Sequence, residues 1–300
     1  MESLIKPKVS VLMTVYNGAL YLSEALESVL NQSYQNWELV IVNNFSNDSS
    51  LDIIKSYSDP RIRLISFTKN MGRVYALRHA FEISSGDFLA VLDADDIARK
   101  DRFDKQVNFL NKRPEVSLVA SWTRLIDGSG NLIGKFTPPN DPSGIHKTLA
   151  WANIITHSSV MFRKDQALKF GGYSERFIWG HDFSLILSMA QISSIAIIDE
   201  FLCDLRITKS SMTKSDEYQL IVASENIQLF KKASLVLSLD ADAAKKNKVA
   251  IAVAEIKYGI ALIKTNSILK GLALIFSRVI FTPSVLWRNG PVRRLLGGNF

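Results

Sequence analysis

The sequence predicts an α/β protein: a mixed, mostly parallel sheet flanked by helices, running on into a helical C-terminal extension. Three observations lead there. Short apolar runs alternate with segments of helical spacing through roughly the first hundred residues. Polar residues crowd the C-terminal ends of those runs, where open α/β sheets hold their ligands. Beyond residue 223 the strand signal disappears and long helical patterns take over.

Lys8-Val-Ser-Val-Leu-Met-Thr-Val15 is the first expected strand, followed by a Tyr16-Asn17-Gly18 turn. Leu22, Ala25, Leu26, Val29 and Leu30 then recur at helical spacing between Tyr21 and Gln32. Glu38 to Val42 forms the second strand and ends in Asn43-Asn44-Phe45-Ser46-Asn47-Asp48. A helix over 50–57, a strand over 62–67 and a helix over 73–84 follow. The fourth strand, Phe88-Leu-Ala-Val-Leu92, is apolar throughout, as a strand buried on both faces should be.

That strand stops abruptly at Asp93-Ala94-Asp95-Asp96. Three acids so close repel one another unless a cation sits among them, and oxygen-only ligands suit Mg²⁺ or Mn²⁺. The plain alternative is a solvated turn with helix-capping acids. From 116 to about 207 the pattern turns mixed, with strands at 118–122 and 132–134, a Pro/Gly-rich loop at 137–144 and a segment at 157–162. This divides the chain into 1–222, with halves 8–115 and 116–222, and a helical region 223–300.

Composition is that of an ordinary globular protein, 47% hydrophobic and 22% charged, without repeats or low-complexity tracts. Cys203 is the only cysteine, so no intrachain disulfide forms and a reducing compartment is expected. The N-terminus lacks a signal-peptide apolar core, which also points to the cytoplasm. The net charge of +7 is uneven: residues 245–300 carry ten Lys or Arg against one acid, Glu255, leaving the remainder slightly acidic.

The strand-end residues together resemble family 2 glycosyltransferases, inverting enzymes of the GT-A (nucleotide-diphospho-sugar transferase) fold. Val9 to Asn17 and Ser28 to Val42 match that family's opening. The likeness continues through Asn70-Met-Gly72, Arg78, Ser85-Gly-Asp-Phe88, Leu92-Asp-Ala-Asp-Asp96, Asp101-Arg102, 104–110 and His157-Ser-Ser-Val-Met-Phe-Arg163. It spans roughly 8–213, in order and at the right spacing.

The resemblance implies roles. Asp95 corresponds to the direct ligand of Mn²⁺ or Mg²⁺, with Asp93 on the ribose or a metal-bound water and Ala94 between them. A divalent cation on the diphosphate stabilises the leaving group as a Lewis acid. Thr14, Val15 and Tyr16 correspond to the nucleoside pocket, where an aromatic ring covers a flat base; core packing is the alternative for Tyr16. Asn44, Asn70 and Gly72 belong to the same nucleotide-sugar site, and Arg78 corresponds to a ribose- or phosphate-facing position, against the alternative of an exposed helical arginine. Asp182 in Gly180-His181-Asp182-Phe183 corresponds to the general base that activates the acceptor hydroxyl, with helix capping as its other reading. A lone histidine, His157, is expected to be structural.

Three departures stand out. Asn43-Asn44 replaces an acidic pair or Asp-Asn, so an amide carbonyl would accept the base's imide N–H. Thr208 stands where a phosphate- or metal-contacting His is common, leaving Arg206 or Lys209 to supply that contact. His181 and Ser184 replace acids around the base. No Gln-x-x-Arg-Trp motif of processive polymerases is present, which implies one sugar per turnover.

The expected donor is therefore a nucleotide-sugar, foremost a UDP-sugar, and the acceptor a saccharide or lipid-linked hydroxyl in cell-surface polysaccharide, lipopolysaccharide or glycolipid synthesis. Apolar helices over 249–263 and 268–285 are interrupted by Lys257, Lys264, Lys270 and Arg278, too charged to span a bilayer but suited to lying on an anionic one. A peripheral place on the cytoplasmic face of the inner membrane follows, with helices merely packed on the domain as the alternative. Few aromatics interleave with the basic residues, so no nucleic-acid partner is expected. The competing class is a degenerate, non-catalytic homologue that binds a nucleotide or organises a membrane assembly. Asn43 and Thr208 motivate it; the intact set Asp93, Asp95 and Asp182 argues against it.

Overall fold

In a computed structural model, residues 6–208, 216–265 and 267–281 are described. They form two units. The first comprises described residues up to Ile145 together with Ile154 to Thr208; the second takes His146–Asn153 and the described residues from 216 onward.

The first unit is built on a nine-stranded sheet. Its strands are β1 (Val9–Val15), β2 (Trp37–Asn43), β3 (Ile62–Ser66), β4 (Phe88–Val91), β5 (Ile97–Ala98), β6 (Val116–Ile126), β7 (Leu132–Phe136), β8 (Met161–Arg163) and β9 (Ser194–Arg206). The order is β3-β2-β1-β4-β8-β6-β9-β5, with β7 paired to the C-terminal part of β6, off this path. β1 pairs in parallel with both β2 and β4, and β2 with β3. All four β4 residues are buried, as their unbroken apolarity requires. Helix α1 (Ala19–Leu30) buries Leu22, Ala25, Leu26 and Val29, one stripe at helical spacing. Each of Leu22, Leu26 and Val29 contributes on the order of 2 kcal/mol of burial.

Strand directions decide what meets at the site. β8 runs antiparallel to β4, so the turn that precedes it, His157–Val160, lies at the edge where β4 ends. β6 is antiparallel to β8 and β9 parallel to β6, which returns the C-terminal end of β9 to that same edge. The strand-end residues of β1, β2, β4 and β9 and the entry to β8 therefore converge, although they lie up to about 190 residues apart.

Arg102, at the start of α4 (Arg102–Lys112), is fully buried beneath this edge. Its Nη2 donates to the carbonyls of Val91 and Val160, and its Nε to Gln106, whose own amide donates to the Ser159 carbonyl. The Asp101-Arg102 segment thus acts as a clamp on the ends of β4 and the 157–160 turn.

The second unit holds α8 (Asp216–Val236), α9 (Ala241–Lys264) and α10 (Ile268–Phe281). The side chain of Asp240 caps α9 by accepting from Ala243 N at 2.8 Å. Asn247 donates to the carbonyls of Ala150 and Phe230. Helices α9 and α10 approach closely at Gly259 and Gly271, where a Cβ on Gly271 would collide with the Gly259 carbonyl. Arg278 returns from α10 to Glu255 at 2.7 Å. No helix among the described residues is long and apolar enough to cross a membrane.

Candidate active site

Asp93, Asp95 and Asp96 follow β4 directly, and each offers a carboxylate oxygen lying within 4.8 Å of the others. The backbone N–H of Asp93 donates to Ser158 Oγ at 3.1 Å, which ties the acidic turn to the 157–160 turn. The three carboxylates differ in task. Asp96 is buried; its Oδ1 accepts Arg206 N at 2.8 Å and its Oδ2 has no partner. Burial first, then the charges of Asp93 and Asp95, push its carboxyl well above the usual range. Asp95 is also pushed up, by burial and then by Asp93. Carboxylate oxygens this close repel one another and match a hard divalent cation, so this set fits Mg²⁺ or Mn²⁺.

Arg73, the first residue of helix α3 (Arg73–Ile83), donates through Nη2 to both Asp93 oxygens at 2.6 Å each. Burial is the largest cause and raises the Asp93 carboxyl, but the lowering contributions, led by the charge of Arg73, together outweigh it and the net shift is downward. Arg73 also feels the charges of Asp182 and Asp95. The charge of Asp182, 89 residues beyond Asp93 in the chain, thus acts on the same guanidinium. The sequence pattern missed Arg73. Its signal is a basic residue directly after Asn70-Met71-Gly72, and Gly72 (φ 86°) supplies the backbone bend that starts the helix there.

Arg78, expected on ribose or phosphate, is paired with Glu82 at 2.9 Å and Glu175 at 3.0 Å. It stands five residues after Arg73, about 140° around the helix, so the two cannot serve the same face. Arg206 was expected to replace a phosphate contact and does not. It is buried, with Nε on the Asp95 carbonyl, Nη1 on the carbonyls of Asp127 and Gly128, Nη2 on Glu24 and its guanidinium over the Tyr21 ring. It holds the acidic turn from behind. Lys209 lies outside the described residues.

Asp182 sits in the first turn of α7 (His181–Ile192), one residue past its start, and Gly180 occupies the N-cap without a side-chain cap bond. Asp182 is thus a first-turn acid rather than a cap. His181 is buried, its Nδ1 3.1 Å from the Ile178 carbonyl and its Nε2 without a partner. His157 sets Nε2 2.9 Å from Tyr173 OH and stacks edge-on with His181. Burial is the main cause that lowers both imidazoles to about 4, so both are neutral at physiological pH. They form the apolar-walled back of the site with Tyr173.

On the β1 side, Val15 is buried, Thr14 half-buried and Tyr16 half-exposed. Ala94 lies next to Gly18, 3.6 Å from where a Cβ would be. Asn44 is buried: its Oδ1 accepts Met71 N at 2.9 Å and its Nδ2 donates to Asn70 Oδ1, which also accepts Gly72 N. Asn44 and Asn70 thereby set the loop that delivers Arg73.

The Glycosyl transferase family 2 profile matches residues 10–169. An uncharacterized glycosyltransferase of Methanocaldococcus jannaschii is 36% identical over 208 residues, covering 67% of this chain and 71% of that one. The O-antigen biosynthesis glycosyltransferase WbnJ of Escherichia coli is 29% identical over 229 residues, 75% of this chain and 89% of that one. Among solved structures, a mannosyltransferase of Pyrobaculum calidifontis in complex with GDP-Man and Mn²⁺ superposes with a TM-score of 0.62 at 20% identity, covering 97% of this chain and 84% of that one. The fold is that of the GT-A glycosyltransferases. The chain belongs to glycosyl transferase family 2.

Proposed function

We propose that the protein transfers one sugar from a nucleotide-diphospho-sugar to a hydroxyl acceptor, with inversion, in the synthesis of a cell-surface polysaccharide, lipopolysaccharide or glycolipid. The observation that supports this reading is the acidic turn after β4, where Asp93, Asp95 and Asp96 bring carboxylate oxygens within 4.8 Å of one another and Arg73 engages Asp93. A donor-side acid pair after β4 and an acceptor-side base in the first turn of α7 are what a direct displacement needs.

Asp95 and Asp93 would hold Mn²⁺ or Mg²⁺, which when bound neutralises charge on the departing diphosphate. Thr14, Val15, Tyr16, Asn44, Asn70, Gly72 and Ala94 line the donor side, where Asn44 fixes loop geometry through both ends of its amide. Arg78 is left out of this set because two glutamates engage it. Asp182 takes the acceptor's proton as its oxygen attacks the anomeric carbon from the face opposite the nucleotide. The buried neutral pair His157 and His181 keeps water and competing charge from the back of the site. WbnJ, named for O-antigen biosynthesis, and the neighbour bound to GDP-Man and Mn²⁺ support the donor class and the setting.

The second unit is proposed to rest on an anionic membrane surface. Ile268, Leu269, Leu272 and Phe276 form an exposed apolar stripe along α10, and Lys270 projects beside it.

The test is turnover and thermal stabilisation with UDP-, GDP- and dTDP-sugars plus Mn²⁺, using the native chain and Asp95→Ala. Metal-dependent turnover that disappears in the variant is expected. Binding of donors without turnover on any saccharide or lipid-linked acceptor would instead indicate the non-catalytic homologue.

A further inference from the structure

We infer that Phe45 is a nucleobase-binding residue of the donor site, its ring covering the flat face of the base. The inference rests on the donor reading above and extends it to a residue that neither the motif pattern nor the charged cluster indicates.

Phe45 has φ of +65°, and Asn17 has φ of +52°. They are the only non-glycine residues with positive φ among the described residues. Asparagine enters the left-handed region readily because its short side chain bonds locally. Asn17 does so here: its Oδ1 accepts Asn47 N at 2.9 Å. Phenylalanine has no such compensation, and its Cβ is crowded against its own backbone in that conformation. Nor does the ring repay the strain by packing, since Phe45 is 52% exposed. Strain of this kind persists where the surroundings impose it, and it gathers at binding sites.

The surroundings do impose it. Asn43 Oδ1 accepts Ser46 N at 3.2 Å and closes a turn with Phe45 inside it. Ser46 Oγ accepts Asn17 N, Asp48 accepts Ala19 N, and Ser50 Oγ accepts Gly18 N, each at 3.0 Å. Asn44 N donates to the Val15 carbonyl at 2.8 Å. The loops after β1 and β2 are thus stitched into one rigid rim, and that rim displays two aromatic rings, Tyr16 (53% exposed) and Phe45.

Position supplies the ligand. The diphosphate-side acids end β4; Tyr16 ends the next strand, β1; Phe45 follows the one after, β2. Two strand spacings, about 10 Å, separate the ends of β4 and β2. A nucleotide held by its diphosphate at Asp95 and laid across β1 brings its base to the β2 rim. Stacking suits every base, so Phe45 adds affinity without choosing the base.

The experiment measures binding of UDP, GDP and dTDP with Mn²⁺, and of Mn²⁺-pyrophosphate, to the native chain, Phe45→Gly and Phe45→Ala, with melting temperatures of all three. Loss of one stacked base should weaken the nucleotides about 5- to 100-fold. Pyrophosphate, which has no base, should bind unchanged. Phe45→Gly should melt no lower than the native chain, because glycine relieves the strained φ. Unchanged nucleotide affinity would overturn the assignment, and so would an equal loss for nucleotides and pyrophosphate, which marks a collapsed rim. A changed acceptor KM with unchanged nucleotide binding would place the ring on the acceptor and also overturn it. Failure of the native chain to bind any of the three nucleotides would remove the donor reading itself.

Discussion

Arg73 donates through one nitrogen to both oxygens of Asp93, 2.6 Å from each, at the point where a cation and a donor diphosphate are proposed to enter. In the unloaded protein the guanidinium therefore occupies part of the charge a metal would meet. Replacing Arg73 by alanine removes the cation that compensates Asp93, so Mn²⁺ alone should bind at least about tenfold tighter, because a like charge about 4 Å away costs from about 1 kcal/mol in water to about 4 kcal/mol near a protein surface. Turnover should nevertheless fall, since Asp93 loses the contact that orients it. Titration of Mn²⁺ without nucleotide, beside steady-state kinetics, reads both. Mn²⁺ affinity that stays the same or weakens would show that Arg73 does not compete for the site.

Asp182→Asn keeps the shape of the first turn of α7 and removes only the proton acceptor. If Asp182 is the base, kcat should drop by about 10² to 10⁴, the usual contribution of a positioned acid–base group. Donor affinity should stay within about twofold. A loss of donor binding comparable to the loss of turnover would assign Asp182 to the nucleotide side instead.

The alternating strands and helices and the ends of β1, β2 and β4 were legible in the sequence because each is a local pattern: an apolar run, then a polar break. The acidic turn was legible for the same reason. Arg73 was not, because its one local mark is its place directly after Gly72, and only the helix start there decides that it, rather than Arg78, faces Asp93. Arg206 was misread because its burial depends on β9 returning to the β4 edge through antiparallel β8, a non-local pairing. Phe45 reads as an ordinary loop aromatic until its φ is known. Whether the basic tail faces lipid or protein turns on packing too: α9 buries Asn247 and Glu255 within its unit, whereas α10 keeps Leu269 84% exposed.

Acid stability should fall in two successive, slightly overlapping windows. Glu38 on β2 accepts from Ser10, from both the backbone and side chain of Ser85, and from Lys8. Burial alone would raise its carboxyl, but these bonds prevail and bring it to about 2, against 4.5 for an ordinary glutamate. A depressed folded value means stabilisation that is complete above 4.5 and lost as pH falls towards 2. His157 and His181 act higher: at about 4 when folded and 6.5 when free, they leave the unfolded chain binding more protons, so stability declines from pH 6.5 to 4. Glu38→Gln should cost up to about 3 kcal/mol at pH 7. Its deficit relative to the native chain should stay constant from pH 7 to 5 and close below 4.5, while the decline between 6.5 and 4 persists in both proteins. Urea unfolding across this range checks it; a deficit that does not close in acid would show that the carboxylate charge is not what Glu38 contributes.

The stripe on α10 gives the membrane proposal its own variants, remote from the donor chemistry. Leu269 and Phe276 are 84% and 69% exposed and lie two turns apart on one side of the helix, opposite the Gly271 contact with α9. Burying either side chain in an interface contributes on the order of 2 kcal/mol, so Leu269→Glu with Phe276→Glu should reduce partitioning onto anionic vesicles at least a hundredfold. Lys270→Gln should weaken binding only several-fold and flatten its salt dependence, because one basic side chain near an anionic surface contributes about 1 kcal/mol that salt screens. Flotation with phosphatidylglycerol-containing vesicles at low and high salt distinguishes the two contributions. A native chain that stays with the soluble fraction at low salt would leave the stripe without a lipid role, whatever the variants do.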